Sequence, residues 1–299
     1  EAAEFIKNGG IVAFPTETVF GLGANVFDET AIAKIFIAKN RPNDNPLIAH
    51  VSDESQISSL VSTVNKSAED FINAFFPAPL TLVLQKSSKV PLVATANLQT
   101  IGVRMPRHDL AREFIERCGV PLVAPSANLS GKPSPTTWQA VYQDLNGKIN
   151  AILQGSQGEI GIESTVVDCT TDVPQILRLG AITLEDLRRI APETIFANIE
   201  SNKSPGLRHK HYAPNAKVIL VKDSSQIVSS RNAAFIGIEP FDNQFEIARI
   251  CHDIEDYARN VFEFFRECDA RNISKIYCQT VDEKGFGAAL MDRLKRAAQ

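Results

Sequence analysis

Apolar residues recur along this chain in two rhythms. Short runs at residues 11–14, 47–51, 80–84, 101–105, 121–124, 165–169 and 175–179 predict strands, while amphipathic stretches at 109–118, 137–145 and 184–190 predict helices. A helix through Phe5 and Ile6 should close at Gly9-Gly10, and Thr183-x-x-Asp186 is a capping signature for the 184–190 helix. The runs at 80–84 and 101–105 have no helical pattern between them, so the sheet they predict is mixed rather than purely parallel. Regular patterning fades from about residue 191 to 216. Strands at 218–221, 233–238 and 273–278 then alternate with helices at 257–268 and 288–298, which points to a small Rossmann-like parallel α/β domain. The expected organisation is an N-terminal α/β unit (1–195), a linker (196–215) and a C-terminal α/β domain (216–299).

One position breaks its own pattern. Ile32, Ile35 and Phe36 form a helical stripe after Asp28, a capping-type residue, and Lys39 falls on that stripe one turn beyond Phe36. Pro42 should stop this helix and bias Arg41 to an extended conformation. Two cations would then leave one helix end together, positioned for a shared anion such as phosphate or carboxylate.

Composition narrows the classes. In 299 residues the hydrophobic content is 44% and the formal net charge is −4, enough apolar material for one or two cores and no general attraction to nucleic acid. Five cysteines, never spaced as CxxC, read as reduced cytosolic thiols rather than a disulfide framework or zinc site. No apolar run approaches the roughly 18 residues of a membrane span, so no membrane role is expected and the expected location is the cytoplasm.

Candidate chemistry clusters at predicted strand ends. Pro15-Thr16-Glu17-Thr18 runs into Gly21-Leu22-Gly23 as a hydroxyl-rich turn flanked by glycines. Pro125-Ser126-Ala127-Asn128, continued by Ser130, Gly131, Ser134 and Thr136, suits a phosphate or ribose. Arg104 and Arg178 lie on strands, His50 ends an apolar run, and Glu163-Ser164-Thr165 opens another. Glu17 and Asp168 are available for acid–base or metal work, although no metal-ligand spacing, dinucleotide fingerprint or Walker A sequence occurs. Between two prolines, Arg208-His209-Lys210-His211-Tyr212 makes an unusually polar linker. Taken alone, these residues indicate a site for an anionic ligand beside a small polar one.

The ordered set Pro15-Thr16-Glu17-Thr18-x-x-Gly-Leu-Gly, Lys39-Asn-Arg41-Pro-x-x-Asn45-Pro46-Leu47, Val103-Arg104-Met105-Pro106, Pro125-Ser126-Ala127-Asn128 and Ser164-Thr165 resembles the threonylcarbamoyl-AMP synthase (YrdC-like) family. With the linker and C-terminal domain, the chain resembles its two-domain form. The fold this implies is a twisted mixed sheet with flanking helices, followed by the small α/β domain.

The resemblance also implies a reaction. L-Threonine, bicarbonate and ATP would condense to L-threonylcarbamoyladenylate and pyrophosphate, for threonylcarbamoyladenosine modification of tRNA next to the anticodon. Lys39 and Arg41 would bind the phosphates and act in catalysis. Asn45, Thr100, Ser126, Asn128, Ser134, Arg178, Lys210, His211 and Tyr212 would complete the ATP site, and Thr18, His50, Arg104 and Ser164 would hold L-threonine. Magnesium is expected with the triphosphate, and the partners implied are a threonylcarbamoyl transferase that takes the product and a weak tRNA contact. Two departures stand out: Phe20 where the family commonly has tyrosine, and Leu207 and His209 where methionine and tyrosine are frequent. The competing readings are an RNA-binding module without ATP turnover and a carbamoyl-transfer maturation enzyme; the missing CxxC pairs count against the latter.

Overall fold

The computed structural model describes residues 1–197, 212–228, 231–241 and 243–299. The expected linker residues Leu207, His209, Lys210 and His211 lie outside them. A ten-stranded sheet holds β1 (Val12–Phe14), β2 (Gly21–Asn25), β3 (Ile48–His50), β4 (Leu80–Gln85), β5 (Thr100–Arg104), β6 (Leu122–Val123), β7 (Ala151–Ile152), β8 (Thr165–Asp168), β9 (Gln175–Arg178) and β10 (Ile195–Phe196). Their spatial order is β10-β9-β8-β4-β5-β3-β6-β2-β1-β7. It is mixed, as the missing helix between the 80–84 and 101–105 runs implied: β4 and β5 are antiparallel, while β3/β5 and β4/β8 are parallel.

Helices cover both faces of this sheet. They are α1 (Ala2–Lys7), α2 (Glu29–Lys39), α3 (Ile57–Leu60), α4 (Lys66–Phe75), α5 (Asp109–Cys118), α6 (Trp138–Leu145) and α7 (Leu184–Ile190). Strand alternation sorts the side chains: Val12 and Phe14 join the α1/α5 layer, and Ala13 joins the larger core under α2, α3, α4, α6 and α7. Each boundary has a local cause. Asp28 accepts the Ala31 amide to start α2, and Thr183 with Asp186 forms the expected capping box of α7.

Two expectations change here. Helix α2 ends at Asn40, whose left-handed φ of 50° breaks it before Pro42 is reached. Residues 21–23 belong to strand β2 rather than to the preceding turn. Glycine is needed there because a Cβ on Gly23 would sit 3.0 Å from the Phe14 ring.

The second sheet, β11 (Lys217–Val221), β12 (Ala233–Gly237), β13 (Ile247–Ile250) and β14 (Lys275–Gln279), is wholly parallel in the order β11-β14-β12-β13. Helices α8 (Ile254–Ala270) and α9 (Phe286–Ala297) pack on one face, and Phe241 and Phe245 pack with Phe235 and Tyr277 on the other. The helix-bearing core also takes in Val19, Ile162 and Tyr212. Gly161, at φ +80°, lets the chain lie against α8 where a Cβ would fall 2.3 Å from the Arg259 Cα.

Candidate active site

A cleft of about 720 Å³, its mouth included, runs across the first sheet. Register explains one end. In the parallel pair β3/β5, His50 lies opposite Arg104, so both strands finish side by side. Strand β4 starts beside them, antiparallel to β5, and β8 runs parallel to β4 from the same level, which puts Thr81 and Ser164 at that edge. Strand β9 returns there with Arg178.

At this end the groups hold one another. The Arg104 guanidinium donates to the Thr18 hydroxyl at 2.9 Å and lies 2.8 Å from the Glu17 carboxylate, with both charged residues buried. Thr16 gives its only hydroxyl proton to the Val19 carbonyl, so in its 2.9 Å contact with Thr16 it is Thr18 that donates. Arg178 donates to the Ser164 carbonyl at 3.0 Å and its hydroxyl at 3.2 Å, and Thr81 completes that group at 2.8 Å from the same hydroxyl. His50 Nδ1 faces the Ile48 carbonyl at 3.2 Å, which fixes the proton on Nδ1 and leaves Nε2 as an acceptor. Burial, reinforced by the Arg104 charge, lowers the His50 pKa to about 3, so this ring is neutral.

The other end is a loop, residues 124–134. It meets the 15–20 turn because the start of β2 pairs with both segments, Phe14 opposite Gly21 and Gly21 opposite Ser126. Lys39 sits beneath it, almost fully buried, and donates to the carbonyls of Ser126 and Asn128, the latter at 2.6 Å. The amides above are also engaged: Ala127 with the Phe20 carbonyl, Leu129 with the Asp144 carboxylate and Ser130 with the Lys39 carbonyl. Arg41 donates to the Asn45 carbonyl at 3.1 Å.

Helices of the C-terminal half reach the same loop. Arg266 on α8 donates to the Pro133 carbonyl at 2.5 Å and to Asp144 at 2.9 Å. Arg293 on α9 donates to the Glu163 carboxylate at 2.8 Å, whose second oxygen takes the Ser134 hydroxyl at 2.6 Å. Burial opposes ionisation of Asp144 and Glu163. Arg266 nevertheless holds the Asp144 carboxyl below its usual range, and Arg293 with Arg178 does so for Glu163.

Of the residues singled out by sequence, Thr18, Arg41, His50, Arg104, Ser126, Asn128, Ser134, Ser164, Arg178 and Tyr212 line the cleft. Lys39 lies under its floor, and Asn45 is buried beyond it, both atoms of its amide without a hydrogen-bond partner among the described residues. Thr100 begins β5, four residues from Arg104, and does not line the cleft. Glu17 is occupied by Arg104, and Asp168 accepts from the Thr170 amide and hydroxyl away from the cleft, so neither serves as a free acid or base. Among the described residues no three His, Cys, Asp or Glu side chains gather to hold a metal.

The electrostatic imbalance is specific. Lys39 and Arg178 are buried and Arg41 is half-buried, and none forms an ion pair with a carboxylate of the described residues. Burial, together with the neighbouring Arg41 charge, holds the Lys39 pKa well below its ordinary value; burial also lowers Arg41 to about 10. Arg41 Nε and Asn128 Oδ1 have no hydrogen-bond partner among the described residues. Cations withdrawn from water without a direct ion pair are stabilised by an anionic ligand.

Comparison with known proteins gives a concordant picture. A family model described as "Telomere recombination" matches residues 4–180, and one described as "Threonylcarbamoyl-AMP synthase, C-terminal domain" matches residues 182–299. The threonylcarbamoyl-AMP synthase of Pyrococcus abyssi is 42% identical over 99% of this chain and 93% of its own. That of Bacillus subtilis is 36% identical over 100% and 92%. The crystal structure of P. abyssi Sua5 complexed with L-threonine superposes with a TM-score of 0.94 at 41% identity, covering 99% of this chain and 93% of that one.

Proposed function

The chain belongs to the threonylcarbamoyl-AMP synthase family, and from that premise we propose how its cleft divides the work. The enzyme makes L-threonylcarbamoyladenylate, the activated intermediate for threonylcarbamoyladenosine in tRNA. In the reaction we assign, the threonine amine and bicarbonate give a carbamate and water. A carbamate oxygen then attacks the α-phosphorus of ATP, and the bond to the departing pyrophosphate breaks.

The observation that carries the site assignment is the set of three cations around one cleft, Lys39 and Arg178 buried and Arg41 half-buried, none in an ion pair with a carboxylate of the described residues. Arg41 offers its guanidinium to the phosphates and stabilises the charge that builds at phosphorus. Lys39, held by two carbonyls, fixes the loop that carries Ser126, Asn128 and Ser134 and adds positive potential from below. Asn45 extends this end. Thr100 does not reach the cleft, so the nucleotide assignment rests on the other residues. At the sheet edge, Arg104 and Thr18 suit the carboxylate of L-threonine, with Ser164 and neutral His50 for its hydroxyl and amine. The P. abyssi structure, which holds L-threonine, supports placing that substrate in this cleft.

Magnesium would arrive on the triphosphate, since no cage of carboxylates is present among the described residues. The domain division we propose keeps 1–195 as the catalytic unit, 196–215 as a linker that folds over the nucleotide, and 216–299 as a second domain. Tyr212 already lines the cleft. Full adenylate synthesis after removal of residues 204–214 would remove the linker's role. The product passes to a threonylcarbamoyl transferase, with at most a local tRNA contact given the −4 charge. No helix among the described residues is long and apolar enough to cross a membrane, which fits the proposed cytoplasmic location.

The test is pyrophosphate release from ATP, omitting L-threonine and bicarbonate in turn. Both omissions should abolish release. Release that ignored L-threonine would defeat the substrate assignment.

A further inference from the structure

A cleft built for a polyphosphate should not contain a carboxylate, yet Glu163 lines this one and is buried. Its two oxygens are fully assigned, Oε1 to the Ser134 hydroxyl and Oε2 to Arg293 Nε. Arg293 comes from the last helix, 130 residues further along, and is 1% exposed. Its remaining nitrogens are engaged too, Nη2 with the Leu179 carbonyl at 2.8 Å and Nη1 with Asp292 at 2.6 Å. The guanidinium carbon also lies 5.5 Å from the centre of the Tyr212 ring, which stacks on Phe262 at 5.4 Å.

We propose that Arg293 is a positioning residue of the adenylation site: it cancels the Glu163 charge so that the cleft stays positive for ATP, and it fixes Ser134 and Tyr212 against the nucleotide. This rests on the reading of the cleft given above. Among the described residues the remaining cation beside Glu163 is Arg178, which is already committed to Ser164. Without Arg293, an acceptor-only anion would face the triphosphate and Ser134 would lose its fixed partner. A lysine could restore the charge but not the fork that meets Glu163, Leu179 and Asp292 at once, nor the flat face turned to Tyr212. The second domain thus contributes to a site that it does not line.

The full-length chain tests this through Arg293→Met, Arg293→Lys and the double variant Arg293→Met/Glu163→Gln, with steady-state pyrophosphate release and calorimetric binding of a non-hydrolysable ATP analogue. Arg293→Met should raise KM and analogue Kd for ATP by about tenfold while KM for L-threonine moves less than about twofold, because ATP carries the larger negative charge. Adding Glu163→Gln should restore ATP affinity to within about threefold of the parent, a rescue that lost packing would not produce. Arg293→Lys should fall between. A folded Arg293→Met with unchanged ATP affinity, equal rises in both KM values, or a double variant no better than the single would each overturn the proposal. If Arg293→Met fails to fold, an Arg293→Lys chain with parental ATP affinity would do so. A parent enzyme that ignores L-threonine would defeat the reaction assignment instead, so the two failures are distinguishable.

Discussion

The two ends of the cleft are built on different principles. At the end proposed for L-threonine, Arg104, His50 and Ser164 occupy neighbouring strand termini beside Arg178, and their partners, Glu17, Thr16, Thr18 and Thr81, come from the same N-terminal sheet and its turns. The end proposed for the nucleotide is a loop without a ladder of its own, held by Lys39 beneath and by Arg266 and Arg293 from the far helices. A sheet edge can position ligands unaided because hydrogen bonds to two neighbours fix each strand. A loop needs braces, and here the chain supplies them from 87 to 133 residues away.

The strongest challenge to this contrast is Arg104→Ala. It strands the buried Glu17 carboxylate, so unfolding in urea should reveal a loss of about 3–5 kcal/mol, with threonine-dependent turnover abolished. Retained stability would mean that the threonine end is not self-supporting. Arg41→Ala follows. It should cost about a hundredfold in kcat with a melting midpoint within about 2 °C of the parent, since its ordinary partner is a ligand. A large fall in the midpoint would make it structural. Asp144→Asn weakens the hold on Arg266, Lys132 and the Leu129 amide, so we expect KM for ATP to rise by about threefold and KM for L-threonine to stay put. Equal movement of both would erase the distinction between the ends.

Acid stability gives the finest test. His50 has a folded pKa of about 3 against an ordinary 6.5, so the unfolded chain binds the extra proton and stability falls as pH drops through that window, by up to about 1.4 kcal/mol per unit. The lowered carboxyls of Asp144 and Glu163 lose their contribution as pH falls through their depressed folded values, starting from ordinary values of 3.8 and 4.5. Between pH 5 and 6 the slope should therefore belong mainly to the threonine end. His50→Gln should flatten it, and an unchanged slope would count against the buried neutral imidazole.

How much of this was legible follows the same division. Strand-end motifs were readable because alternation placed Arg104 and His50 on short apolar runs, and parallel pairing brings such termini together. Strand β13 was missed: it is only four residues long, and its apolar and polar positions are both partly or wholly exposed. The braces were missed for another reason. Arg293 lies among Leu290, Leu294 and Ala297 at helical spacing, the same irregularity that exposed Lys39, but in a closing helix rich in surface arginine and lysine it reads as solvent-facing. Glu163 looked like one polar residue among several at a strand start. The packing of α9 on the Glu163 segment, which the sequence pattern does not show, gives it its ion pair with Arg293.

The inward polarity of the 124–134 loop has a consequence for its motion. With the amides of Ala127, Leu129 and Ser130 committed to a carbonyl, a carboxylate and another carbonyl, and with Lys39 gripping two of its own oxygens, this irregular segment has donors that solvent cannot reach without breaking the framework. Those three amides should therefore exchange with deuterium as slowly as strand amides, even before nucleotide binds. The loop therefore meets its ligand already set.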